Sequence, residues 1–280
     1  MKVNFQNHNQ ADYERLFNEL MLTAFGCSFA AWHQKRLWTE SYESYSIIED
    51  GRMLANICLF KTDLVIFEHK LRAGQLGAVA THPEHRGRGL SGSLMKYILQ
   101  LYPTLPMFLF ANSSVLEYYP RFGFKRIFES RPRLEIEFSQ AENSARRLSS
   151  SDPLIQNYLA NARQLSKLYC SNGRSVEWFH FLISYADHIY HLPGSEALVI
   201  AVEEGEEIFI PYLNAPAGAG PKILRGLPFK GRKTLRFGFT PDQKLCSFHW
   251  EIETSDDEAM FVRGAFPFPE IFAFPAMSKT

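Results

Sequence analysis

The junction between the strand "AVAT" (78–81) and the helical repeat that starts at Leu90 constrains this chain more than any other stretch. Between them runs "HPEHRGRGLSGS" (82–93). Gly87, Gly89 and Gly92 allow a tight backbone turn, and Leu90, Leu94, Tyr97, Ile98 and Leu101 then lie on one helical face. A strand, a glycine turn and a helix in that order present free N–H groups and a positive dipole end to an anion. Arg86 and Arg88 add charge. The spelling G-x-G-x-x-G also belongs to dinucleotide turns, where the glycines follow the strand directly and an acid stands about 20 residues on. Here "THPEHR" intervenes, and the next strand, "MFLFA" (107–111), leads into Asn112 with no acid. The phosphate loop G-x-x-x-x-G-K-[ST] has no counterpart. Phosphate binding and a solvated basic loop both fit these residues.

The surrounding pattern is mixed α/β. "YERLFNELMLTAF" (13–25) and "FAAWHQKRLW" (29–38) read as helices, and "YSIIEDGRMLANICLF" (45–60) as two strands around an Asp-Gly turn. "SSVLEYYPRFG" (113–123) reads as a short helix ending in glycine, and "FKRIF" (124–128) as a strand. The Ser-rich stretch 139–153 is the predicted linker, dividing a first domain, 1–138, from a second, 154–280. The second half echoes the first: two helical patterns, "NYLANARQLSKLY" and "VEWFHFLISYA", precede the strand–turn–strand "ALVIAVEEGEEIFIPYL". Trp178 then answers Trp32, and Gly205 answers Gly51.

With 280 residues, two domains are expected, and with 46% hydrophobic residues each can bury a core. Lys+Arg and Asp+Glu both number 30, which argues against a nucleic-acid or membrane-surface partner. Cys27, Cys58, Cys170 and Cys246 are scattered without a C-x-x-C pair and read as reduced thiols. With no apolar leader or membrane-length run, the expected location is cytoplasmic.

The run V-A-T-H-P-E-H-R-G-R-G-L-S resembles the acyl-CoA motif of the GNAT N-acetyltransferase superfamily, R/Q-x-x-G-x-G/A after a strand. Arg86, Gly89 and Ser91 occupy its positions, with Ser91 standing where Gly or Ala is usual. "ANSSVLEYYPRFGF" is similar to the family's second motif, N-x-x-x-x-x-[FY]-Y-x-x-x-G-F, and the two occur in the family's order. More narrowly, the chain resembles the enhanced-intracellular-survival type, which joins two acetyltransferase-like halves, the first alone keeping the CoA motif.

The resemblance implies a GNAT fold over 1–138 and a degenerate GNAT-like second domain. It implies acetyl-CoA as co-substrate and a small-molecule or peptide amine as acceptor. Arg86, Gly87, Arg88, Gly89, Leu90, Ser91 and Gly92 would cradle the pyrophosphate. Backbone groups of Val79, Ala80 and Thr81 would align the pantetheine, and Asn112 would touch it or cap a helix. Tyr119, at the Y-x-x-x-G-F position, would protonate the leaving thiolate. The residues do not single out a general base: Glu43, Glu68 and His82 stand near the strands, and a water chain could serve instead. His82 and His85 lack a further ligand cluster, and His188 and His191 fall on opposite strand faces, so no metal is expected. The run "FVRGAFPFPEIFAFPAMSKT" is expected to pack over the second core. In the narrower family it would bring the terminal carboxylate of Thr280 to the thioester. A CoA-binding regulatory or scaffold module without turnover is the alternative.

Overall fold

The computed structural model describes residues 2–6, 10–139, 142–161, 166–216, 218–242 and 247–280. Helix α1 (Ala11–Phe25) buries Tyr13, Phe17, Leu20 and Met21 and stops at Gly26, whose φ of 70° favours glycine. Helix α2 covers only Ala30–Gln34, within the expected 29–38. Strand β1 (Asn4–Gln6) precedes α1, and β2 (Tyr42–Glu49), β3 (Arg52–Ile66) and β4 (His69–Thr81) follow α2, the four pairing in antiparallel order. Asp50 and Gly51 both have positive φ, 49° and 73°, as the predicted hairpin turn requires. The strand expected at 78–81 is the end of the much longer β4.

Helix α3 (Leu90–Leu101) buries Leu90, Leu94, Met95 and Ile98, while Tyr97 and Leu101 stay half exposed. Strands β5 (Met107–Ala111) and β6 (Lys125–Ile127) complete this half. The expected helix at 113–123 is instead two 3-10 turns, Ser113–Val115 and Tyr119–Phe122. Pro120 cannot donate to the turn before it, so a continuous α-helix cannot pass through.

The remaining elements are β7 (Ser130–Phe138), β8 (Arg146–Arg147), α4 (Pro153–Ala160), β9 (Leu168–Cys170) and α5 (Arg174–Phe179). After them come β10 (Ile189–Leu192), β11 (Ala197–Glu204), β12 (Glu207–Asn214), β13 (Gly231–Phe237), β14 (His249–Ile252) and β15 (Ala259–Arg263). They build two sheets, ordered β1-β2-β3-β4-β5-β15-β6, with β9 also on β3, and β8-β10-β11-β12-β13-β7-β14. In each sheet only the fourth and fifth strands, β4·β5 and β12·β13, run parallel. In each, the sixth strand is borrowed: β15 comes to the first sheet from the chain's end, and β7 goes to the second.

This shared order identifies the second half as a repeat of the first, with one strand exchanged each way. The chain changes sheets between β6 and β7, upstream of 139–153; residues 140 and 141 of that stretch lie outside the described residues. By sheet position β11–β12 match β3–β4, so Gly205 does not answer Gly51. Trp178, on α5 before β10, does stand where Trp32 stands before β2. Between β12 and β13, among the described residues, a 3-10 turn, Pro221–Gly226, stands where α3 stands between β4 and β5, so the α3 start has no counterpart at that place in the second half.

The C-terminal run crosses from one half to the other. Phe272 and Phe274 join the first half's core against Phe108, which corrects the expectation that this run covers the second core. Beyond them, the Ala276 N–H donates to the Gly238 carbonyl at 2.6 Å, and Met277 enters the second half's core. Lys279 is buried with its ammonium 2.9 Å from Glu258 and 3.4 Å from Glu129. Its carbonyl lies 2.8 Å from His180 Nε2. Among the described residues Cys27, Cys58 and Cys170 are free thiols, Cys246 lies outside them, and no helix is long and apolar enough to cross a membrane.

Candidate active site

Strands β4 and β5 pair only from Gly74↔Met107 to Leu76↔Leu109. Beyond that point β4 stays with β3, whereas β5 stays with β15 as far as Ala111↔Ala259. The sheet therefore opens. A register shift on β3 between Asn56 and Cys58 faces Ala78, whose φ is 47°. Asn56 Nδ2 donates to the Ala78 carbonyl at 3.1 Å and fixes this bulge. A cavity of about 650 Å³ occupies the opening, within the range of small-molecule sites.

One end of the cavity is the glycine loop. Gly87 and Gly89 adopt φ of 77° and 74°, and a Cβ at either would meet nothing, so conformation alone calls for glycine. Gly89 caps α3 without a side chain, which leaves its first-turn N–H groups uncapped. Arg86 and Ser91 line the cavity together with Val79, Ala80, Thr81 and Asn112. Gly87, Arg88, Gly89, Leu90 and Gly92 stand in the loop and first turn beside it. Leu90 turns its side chain into the core, and Arg88 is bonded to His85 Nδ1 at 2.6 Å, so only their backbone faces a ligand. The carbonyl of the Asn112 side chain accepts from the Ser114 N–H at 3.0 Å, which makes Asn112 a cap at the cavity wall.

Tyr119 lines the same cavity, 5% exposed, packed edge-on against Phe124 and tilted against Phe261. Burial raises its phenol far above the usual value, so it stays protonated through the neutral range. The three candidate bases are not in the cavity wall. Glu43 is buried elsewhere, accepting from Tyr45 and Tyr102 and paired with Lys61 at 2.7 Å. Glu68 is exposed at the β3–β4 turn. His82 is bonded to Arg52 at 3.2 Å beside Glu84.

His82, Glu84 and His85 do bring ligand atoms within 4.8 Å of one another. Guanidinium groups of Arg52 and Arg88 already bond to both rings and to Glu84, and two positive charges so close disfavour a cation. His191 packs its ring against Tyr158.

The opposite end of the cavity escaped sequence reasoning. It is built from Met21, Ala24 and Phe25 at the end of α1, Phe29 and Trp32 around α2, and Tyr42 on β2. Val176 and Phe179 of α5 close it from the second half. Thr280 reaches the junction of the two ends and lies against Gly77, where a Cβ would run into Thr280 Oγ1 and meet its carbonyl carbon at 2.9 Å. Gly77 is glycine because the tail passes there.

Residues 6–127 match the model of the acetyltransferase (GNAT) domain. Most of the chain also resembles solved structures in its fold. An Enterococcus faecalis protein described as a probable N-acyltransferase superposes with a TM-score of 0.57 at 15% identity, covering 94% of this chain and 73% of that one. Eis1 from Mycobacterium abscessus gives 0.55 at 14% identity, covering 93% and 73%. A GCN5-related N-acetyltransferase from Kribbella flavida gives 0.53 at 14%, covering 94% and 71%. At these identities the likeness is one of fold. A 148-residue stretch is also 26% identical to thermostable DNA polymerase I of Thermus thermophilus, over 51% of this chain but only 18% of that enzyme.

Proposed function

We propose that this protein is an N-acetyltransferase that moves the acetyl group of acetyl-CoA directly to a primary amine of a small molecule or peptide. The supporting observation is that one cavity joins the α3 start, the parted strands β4 and β5, Tyr119 and Thr280. Acetyl-CoA bound there supplies an activated thioester. The backbone N–H groups of Gly87 to Gly92 and the charge of Arg86 hold its pyrophosphate. Val79, Ala80 and Thr81 offer main-chain groups to the pantetheine, with Asn112 at its flank. Tyr119, protonated by virtue of its burial, gives its proton to the departing sulfur. Water entering the cavity takes the amine's proton. The site as proposed uses no metal, and the chain acts in the cytoplasm.

Thiol release from acetyl-CoA over a panel of amines, with thermal shifts for acetyl-CoA and NAD, tests this. Stabilisation by acetyl-CoA with release on at least one amine is expected. Stabilisation without any release would leave the CoA-binding scaffold instead, and stabilisation by NAD alone would overturn both. The loop carries its own prediction. Alanine at Gly89 must adopt a left-handed conformation at about 1–2 kcal/mol. Its acetyl-CoA Kd should therefore rise about tenfold by calorimetry; an unchanged Kd would remove this loop from the binding site.

A further inference from the structure

We infer that the acceptor is a monoamine carried on an aromatic or aliphatic body, and not a polyamine or an amino sugar bearing several ammonium groups. This rests on the transfer reading above and names the substrate class of the same cavity.

The first argument is charge. Among the described residues of the cavity wall there is no aspartate or glutamate side chain, and Arg86 is the sole charged one. A second or third ammonium group would enter without a counter-ion, and a buried unpaired charge is strongly unfavourable. The Arg86 guanidinium adds repulsion. One ammonium, which must lose its proton to react, needs no such partners.

The second argument is the chemistry of the acceptor end. Trp32 Nε1 already donates to the Ser175 carbonyl at 2.7 Å, and the Tyr42 hydroxyl lies against the Cys58 thiol. Both therefore offer ring faces rather than free donors. Phe29 lies between them and the second half, 6.2 Å from Trp32 and 4.7 Å from Phe179 between ring centroids. Phe25, 49% exposed, forms an aromatic lip at the mouth. Such walls favour a planar or aliphatic body by desolvation and ring contact and offer little to hydroxyl-rich ligands.

The third observation is where these walls come from. Val176 and Phe179 belong to the second half, in which a 3-10 turn stands at the place of α3. That half is retained at the site as an apolar wall over the acceptor.

The test compares kcat/KM for 2-phenylethylamine and hexylamine with that for ethanolamine and spermidine, at saturating acetyl-CoA. Burial of one phenyl ring predicts a preference over ethanolamine of at least about 30-fold, with spermidine no better than ethanolamine. Spermidine equal to or better than the apolar amines would overturn the inference and leave acetyl transfer standing. No thiol release on any amine would overturn the transfer reading, and this one with it. In Phe25→Glu, at a half-exposed position whose replacement spares the core, the preference should shrink at least about tenfold through KM. An unchanged preference in that variant would show that the acceptor does not use this mouth, against the inference.

Discussion

Phenylalanine at Tyr119 is expected to lower kcat for acetyl transfer by about 10²–10⁴-fold, the usual contribution of a positioned general acid. The binding of acetyl-CoA should be unchanged, because the ring's packing against Phe124 and Phe261 needs no hydroxyl. Burial raises the phenol's pKa, so the acid form persists throughout the neutral range, and no falling limb due to Tyr119 should appear in kcat below pH 10. Tyr118 also lines the cavity, with its ring 5.0 Å from that of Tyr119, and is the internal control. Should Tyr118→Phe lose the rate while Tyr119→Phe keeps it, the acid is the neighbour.

Local order carried the first half into view and long-range order hid the second. The strand, glycine turn and helix at 78–101 were legible because their periods change within a few residues and because Gly87 and Gly89 mark the turn. The same holds for the hairpin at Asp50-Gly51. The exchange of β7 and β15 was not legible, since neither strand's own pattern says which sheet it joins; pairing partners more than ninety residues apart decide it. The mistaken match of Gly205 with Gly51 has the same origin, because any acidic-Gly turn between apolar runs reads alike. Pro120, which has no N–H to donate, ends the helix expected over 113–123.

The CoA side of the site is written in glycine and arginine, which stand out against an ordinary background. Its acceptor side is written in Met21, Phe25, Phe29, Trp32 and Phe179, which at helical spacing are indistinguishable from core. Only the parting of β4 and β5 converts those residues from core into wall. Glu43 shows the reverse. A lone acid near a strand looked available, but Tyr45, Tyr102 and Lys61 already satisfy it.

Glutamine at Glu129 is expected to cost about 3–5 kcal/mol of stability, because it removes one partner from a buried charge cluster. The Glu129 carboxylate is 3% exposed, accepts from the Phe274 N–H at 2.8 Å, and faces the Arg131 guanidinium and the Lys279 ammonium. These are the contacts that seat the tail on its way to Gly77, so denaturant melts should show the loss and turnover should fall at temperatures where the variant is still folded.

The seat also titrates. Burial lowers the His180 pKa to about 4, so the folded protein keeps the neutral ring that donates to the Lys279 carbonyl. Its contribution is complete above the unfolded value near 6.5 and is lost as pH falls toward 4, amounting to about 3 kcal/mol. The Lys279 ammonium holds the Glu258 carboxyl below its ordinary 4.5, so that pair's contribution disappears at still lower pH. Between pH 6.5 and 4 the wild type should therefore lose stability that His180→Gln does not. Parallel pH curves for the two proteins would mean that His180 takes no part in seating the tail.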